Sequence, residues 1–199
     1  MAAADLLLLL IAYVLGSIPT GVLLSRAVGI DPRRAGSRNI GATNVARTAG
    51  RRLGALTLLG DALKGALPVW IAHLVAPASW LPAAVAVSAI AGHLWSCFLR
   101  FRGGKGVATA LGVFTILAPN ALVLALVAFA VTVAAFRIVS LASMVAAAVL
   151  PLGTMMLAAN RSVTIAALLI AVAIIAKHRD NIARLLAGTE PKFGDSSAA

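Results

Sequence analysis

Charge is scarce in this chain: 12% of its 199 residues are Asp, Glu, Lys or Arg, 61% are hydrophobic, and the mean hydropathy is +1.01. A water-soluble domain carries about 25% charged residues, so a soluble globular protein is excluded. Disorder is excluded too, because disordered chains are poor in apolar residues. The single Cys97 cannot staple a secreted disulfide scaffold. Aromatics make up 5%, and no zinc-finger, RRM or helix-turn-helix pattern is present, which argues against nucleic-acid binding. His73, His93 and His178 are scattered without Cys or Glu partners at ligand spacing, so neither a metal nor a cofactor is expected. Acidic residues are the rarest class, 6 against 17 Lys and Arg, for a net charge of +11. On so apolar a chain, that excess points to an anionic leaflet or anionic substrates.

Long apolar runs are abundant and predict an all-α integral membrane protein. Leu6 to Leu24 carries no charge and can cross the hydrocarbon; without a basic n-region it is expected to be a first transmembrane helix, not a cleaved signal. Leu53–Val75 and Ser79–Phe98 predict an antiparallel pair around a turn near Pro77. A single helix over the uncharged 107–136 would be about 45 Å long, so a break is expected at Ala118-Pro119-Asn120. The arm Val107–Ala118 is then a short tilted span or a re-entrant piece. Ile138–Ala159 and Ser162–Ala176 complete seven spans, or five plus a re-entrant pair, in a single domain over residues 1–199. All Lys and Arg except Lys64 and Arg161 fall in loops of one side, which by the positive-inside rule puts the N-terminus outside and the C-terminus in the cytoplasm.

Three polar stretches share that cytoplasmic side. Gly36 to Arg47 brings together Asn39, Thr43, Asn44 and Arg47, a set of small, amide, hydroxyl and guanidinium groups suited to a phosphate. Arg100 to Thr109 contains Gly103, Gly104, Lys105 and Gly106, where glycines allow close approach to a ligand and Lys105 opens a helix. It is not a P-loop, which would need Gly at Leu99 and Ser or Thr at Gly106. Lys177 to Glu190 spaces His178, Asn181 and Arg184 three apart, on one helical face; a surface amphipathic helix would look the same. Asp61 and Lys64 lie three apart inside an apolar run, either as a structural pair or with Lys64 in a phosphate cavity oriented by Asp61. His93 reads equally as an interior residue or a base, while His73 and Cys97 read as structural.

Together these segments resemble the bacterial acyl-phosphate:glycerol-3-phosphate acyltransferase family, PlsY. The resemblance runs through Gly16-Ser-Ile-Pro-Thr-Gly21, Gly36 to Arg47, Asp61-Ala-Leu-Lys-Gly65, Gly92-His93, Phe101 to Thr109 and Asn181 to Glu190. One departure is Arg38, where the family often has glycine. The resemblance implies an inner-membrane enzyme, active on its cytoplasmic side. It would move a fatty acyl group from acyl phosphate to the sn-1 hydroxyl of glycerol 3-phosphate, giving lysophosphatidic acid and phosphate. The acyl-CoA-type signature, His followed five positions later by Asp, is absent, as expected of that family. Ser37, His178 and Asn181 are the implied catalytic residues. Asn39, Thr43, Asn44, Arg47, Lys64, Gly103 to Gly106, Thr109, Arg184 and Glu190 are the implied substrate-binding residues. The expected partners are the two substrates, membrane lipid and a soluble enzyme that supplies acyl phosphate; the chain is expected to be a monomer. The rivals are an anion transporter, suggested by Asp61, Lys64 and the break at Pro119, and a CDP-alcohol phosphotransferase, which would need clustered aspartates where those here are well separated.

Overall fold

The structure is a computed structural model and describes residues 2–76, 80–157 and 160–194. The expected turn at Pro77, with Ser79, and the end of the sixth run, Ala159, lie outside the described residues. The helices are α1 (Ala3–Ser17), α2 (Thr20–Arg26), α3 (Ala42–Thr48), α4 (Arg51–Val75), α5 (Leu81–Leu94), α6 (Val107–Leu117), α7 (Pro119–Phe136), α8 (Val139–Leu157), α9 (Arg161–Lys177) and α10 (Arg179–Leu186), with a 3-10 turn at Cys97–Leu99. No strand occurs among the described residues. By contacts they divide into two compact units, residues 2–116 and 117–194.

In the first unit α1 packs on α5 and α4. With lipid as apolar as leucine, close helix contact comes from small residues and hydrogen bonds. A Cβ on Gly16 would run into the Ala89 carbonyl, and one on Gly92 into the Tyr13 carbonyl. Ser88 Oγ donates to the Leu9 carbonyl at 2.7 Å and the Tyr13 hydroxyl to that of Trp95 at 2.7 Å. Gly65 and Gly112 bring α4 and α6 equally close, against Thr109 and Ala62. The buried set is accordingly rich in alanine, whereas Leu10, Leu63 and Leu74 are more than half exposed, as lipid-facing residues should be.

The expected unbroken run from Leu6 to Leu24 is instead two helices, interrupted at Ile18-Pro19. Proline has no N–H to continue the ladder, and the freed carbonyls need other donors at membrane depth. Ser96 Oγ supplies Ser17 at 2.6 Å, and Lys64 Nζ supplies Ile18 at 2.7 Å. The Gly36–Arg47 stretch, read as loop, contains α3, whose Gly41 N-cap opens a run of helix-compatible residues. The break predicted near Pro119 is present, between α6 and α7.

In the second unit α8 packs on α7 and α9. α9 and α10 bend by 56° at His178. The tail is tied down by a reciprocal contact: Phe193 N–H bonds the Arg137 carbonyl, and Arg137 Nη2 the Phe193 carbonyl at 2.8 Å. By length and composition five of the described helices, counting α1 with α2 as one, can cross a membrane, and six if α9 and α10 form one bent span. The 11 residues of α6 rise about 16 Å, short of the roughly 30 Å hydrocarbon thickness.

Candidate active site

The first polar stretch is organised by Asn44, which is 2% exposed. Its Nδ2 donates toward the carbonyls of Pro32, Ala35 and Asn39 at 2.9, 3.1 and 2.7 Å, and its Oδ1 accepts from Ser37 N–H at 2.8 Å. Its polar atoms are thus engaged with the loop's own backbone, so Asn44 shapes the stretch from within. Ser37, Thr43 and Arg47 remain exposed around it and Asn39 half-buried. Arg33 grips Asp31 through Nε and Nη2 at 2.9 and 2.6 Å, and these hydrogen bonds hold the Asp31 carboxyl well below the usual carboxylate range. Arg38, the position where the resembled family often has glycine, has φ +59°. A left-handed backbone costs a side chain about 1–2 kcal/mol, so Arg38→Gly should raise thermal stability by about 1 kcal/mol. A thermal melt in detergent checks this, and an unchanged or lower midpoint counts against the strain.

The second stretch docks on the end of α5. Gly103 N–H donates to the Leu94 carbonyl at 3.2 Å and Gly104 N–H to the His93 carbonyl at 3.0 Å. A Cβ on Gly103 would meet that His93 carbonyl, and one on Gly104 the His93 ring at Nε2. Gly106 has φ +85° and enters α6. The sequence assigned these glycines to the approach of a ligand; in the fold, Gly103 and Gly104 permit approach to α5, and Gly106 makes the turn. What is presented outward is the N-terminus of α6, whose first N–H groups lack intrahelical partners, with half-buried Lys105 just before it. A helix start with a cation beside it is an arrangement that suits an anion. Thr109 is fully buried, and its hydroxyl has no hydrogen-bond partner among the described residues.

Lys64 lies 8% exposed and apart from solvent, its Nζ 2.7 Å from Asp61 Oδ1 and 2.7 Å from the Ile18 carbonyl. Both of its contacts are internal, the arrangement of the structural-pair reading. His93 Nδ1 is 3.8 Å from the same Asp61 oxygen.

The third stretch is a cluster of its own. Glu190 Oε1 accepts from Asn181 Nδ2 and Ser140 Oγ, each at 2.6 Å, while Arg184 Nε bonds Oε2 at 2.7 Å. Burial raises the Glu190 pKa, but the hydrogen bonds from Ser140, Asn181 and Arg184 outweigh it and the net shift is downward. His178 is 2% exposed, and its Nδ1 lies 2.8 Å from the Ile174 carbonyl. A carbonyl can only accept, so Nδ1 carries a proton. Ser140 was missed in the sequence; a lone serine at the start of an apolar run carries no signal until the tail folds back to it.

Residues 6–188 match the family described as glycerol-3-phosphate acyltransferase. The glycerol-3-phosphate acyltransferase of Trichlorobacter lovleyi is 54% identical over 182 residues, 92% of this chain and 94% of the relative. That of Geobacter sulfurreducens is 50% identical over 189 residues, 95% and 97% of the two chains. The crystal structure of PlsY, an integral membrane glycerol 3-phosphate acyltransferase, in its glycerol 3-phosphate form superposes with a TM-score of 0.93 at 38% identity, covering 96% of both chains. Its lysophosphatidic acid form gives 0.91 at 37% identity. With fold, length and motif-bearing segments shared along almost the whole chain, this protein belongs to the glycerol-3-phosphate acyltransferase family.

Proposed function

We propose that the chain transfers a fatty acyl group from acyl phosphate to the sn-1 hydroxyl of glycerol 3-phosphate, releasing lysophosphatidic acid and phosphate. The observation that carries this reading is the end-to-end match, in sequence and fold, to a PlsY solved in glycerol 3-phosphate and lysophosphatidic acid forms. Both substrates carry a phosphate, and the first unit offers two elements that suit one: the exposed Ser37, Thr43 and Arg47 with Asn39, and Lys105 at the start of α6. An acyl phosphate is a mixed anhydride with a good leaving group, so positioning and oxyanion stabilisation suffice. The hydroxyl oxygen bonds the acyl carbonyl carbon, the bond from that carbon to the phosphate oxygen breaks, and the hydroxyl proton passes to the departing phosphate. His178 and Asn181 are assigned to positioning that proton, and Arg184 to substrate charge, held by Glu190.

The active side is assigned to the cytoplasm of a bacterial inner membrane, with the N-terminus outside, because the basic residues of the loops lie on one side. α6 is counted as a short tilted seventh crossing or as part of a re-entrant pair. The enzyme is taken to work as a monomer, supplied by a soluble enzyme that makes acyl phosphate.

Purified protein given labelled glycerol 3-phosphate should make lysophosphatidic acid from palmitoyl phosphate without added metal, and none from palmitoyl-CoA. Product from the CoA ester alone overturns the donor, and no product from folded protein overturns the reaction. Lys105→Ala should raise KM for one substrate about 10- to 100-fold, the loss of one charge-assisted hydrogen bond; unchanged constants for both remove Lys105 from binding. Ser37→Ala retaining substantial turnover leaves Ser37 a binding residue and excludes an acyl-serine intermediate.

A further inference from the structure

We propose that Asp61, Lys64 and His93 are positioning residues that hold the Gly103-Gly104 segment in place from inside the helical bundle. Its kinetic consequences rest on the proposed function; its structural consequence does not. The two charges are 2% and 8% exposed within an apolar helix. A buried ion pair is usually no more stabilising than well-packed apolar residues of the same volume, so stability alone is a poor reason for one here. Its contacts supply another.

Lys64 is fixed at both ends of its charge, by Asp61 at 2.7 Å and by the Ile18 carbonyl at 2.7 Å where Pro19 interrupts the first span. Asp61 is thereby held in one position beneath α5. Its Oδ1 lies 3.8 Å from Nδ1 of His93, itself 3% exposed. On its opposite edge, at Nε2, the same ring meets Gly104, where no Cβ would fit. The backbone of that turn completes the attachment, since Gly104 N–H bonds the His93 carbonyl at 3.0 Å and Gly103 N–H that of Leu94 at 3.2 Å. The break in the first span, the ammonium, the carboxylate, the imidazole and the glycine backbone therefore form one contiguous buried line. At 3.8 Å the carboxylate acts on the ring through its charge and not through a hydrogen bond, and the ring sets how closely Gly104 can approach α5. Lys105 follows directly, so the line fixes where its ammonium and the start of α6 are presented.

The test is a charge-free double variant, Asp61→Asn with Lys64→Met, beside His93→Leu. Removing both charges together avoids the unpaired buried charge that either single change would leave. Hydrogen exchange of the Gly103-Gly104 backbone is measured on the unliganded protein, with a thermal melt, and KM for glycerol 3-phosphate and for palmitoyl phosphate with kcat. Both variants should keep a melting midpoint close to the parent's. Exchange at Gly103 and Gly104 should accelerate about tenfold or more, and KM for the substrate whose phosphate Lys105 holds should rise about tenfold with kcat little changed. Parental exchange and parental KM in a folded double variant overturn the proposal and leave a purely structural pair. Should the double variant not fold, unaltered exchange in His93→Leu overturns it. If the parent makes no product, the acyltransfer reading fails, while exchange at Gly103 and Gly104 still decides the positioning role.

Discussion

Glu190→Ala is expected to lower turnover by roughly two to three orders of magnitude, from loss of charge-assisted hydrogen bonds of about 1.5–3 kcal/mol each. The carboxylate receives Ser140 and Asn181 on one oxygen and Arg184 on the other, and its own side chain is only 7% exposed. Without it the Asn181 amide and the Arg184 guanidinium lose the contacts that fix their rotamers, although neither is itself altered. Glu190→Gln keeps an acceptor for one side but turns an N–H toward Arg184, so it should fall between parent and alanine. Steady-state kinetics on palmitoyl phosphate checks the order, and parental kcat/KM in the alanine variant would remove this cluster from the reaction. The cluster also has a pH signature. Because the folded carboxyl titrates below its unfolded value, its stabilising contribution is fully present above the ordinary glutamate pKa and is lost as pH falls through the folded one. The stability of Glu190→Ala, measured by melting against pH, should therefore trail the parent at neutral pH and converge with it in acid.

Asn44→Asp should be nearly as damaging to activity, by about 10²- to 10³-fold, through the other unit. The amide's two N–H groups are shared among three backbone carbonyls and its oxygen accepts from one N–H. A carboxylate in its place turns oxygen toward three carbonyls in a site with 2% exposure, and each buried group left unsatisfied costs about 1–3 kcal/mol. The backbone from Pro32 to Asn39 then loses its common anchor, and Ser37 and Arg47 their fixed spacing. Membrane insertion should be unaffected, since the spans are untouched. Proteolysis within residues 32–40 should become faster while activity drops; a protected loop with parental activity would show that Asn44 does not organise it.

Much of the architecture was legible because a bilayer imposes simple rules. Uncharged runs had to become helices, and Pro119 had to break the longest of them. The candidate segments were legible for a similar reason: in so apolar a chain, clusters of amides, hydroxyls, glycines and cations stand out. Pro19 was passed over because the run from Leu6 to Leu24 has no charge to mark its break, and the donors that make that break tolerable, Lys64 and Ser96, come from far along the chain.

The sequence by itself determined the class, the helical segments and which stretches carry polar chemistry, since those follow from local composition and periodicity. Only the tertiary structure decided what each polar residue does there. Asn44 and Lys64, counted among ligand-binding residues, are bonded inward, the glycines at 103 and 104 serve contact with His93, and Ser140 joins Glu190 from 50 positions away. The physical reason is that a hydrogen-bonding group buried away from water must find a partner wherever the fold provides one, and that partner is set by packing between distant segments, which no local pattern encodes.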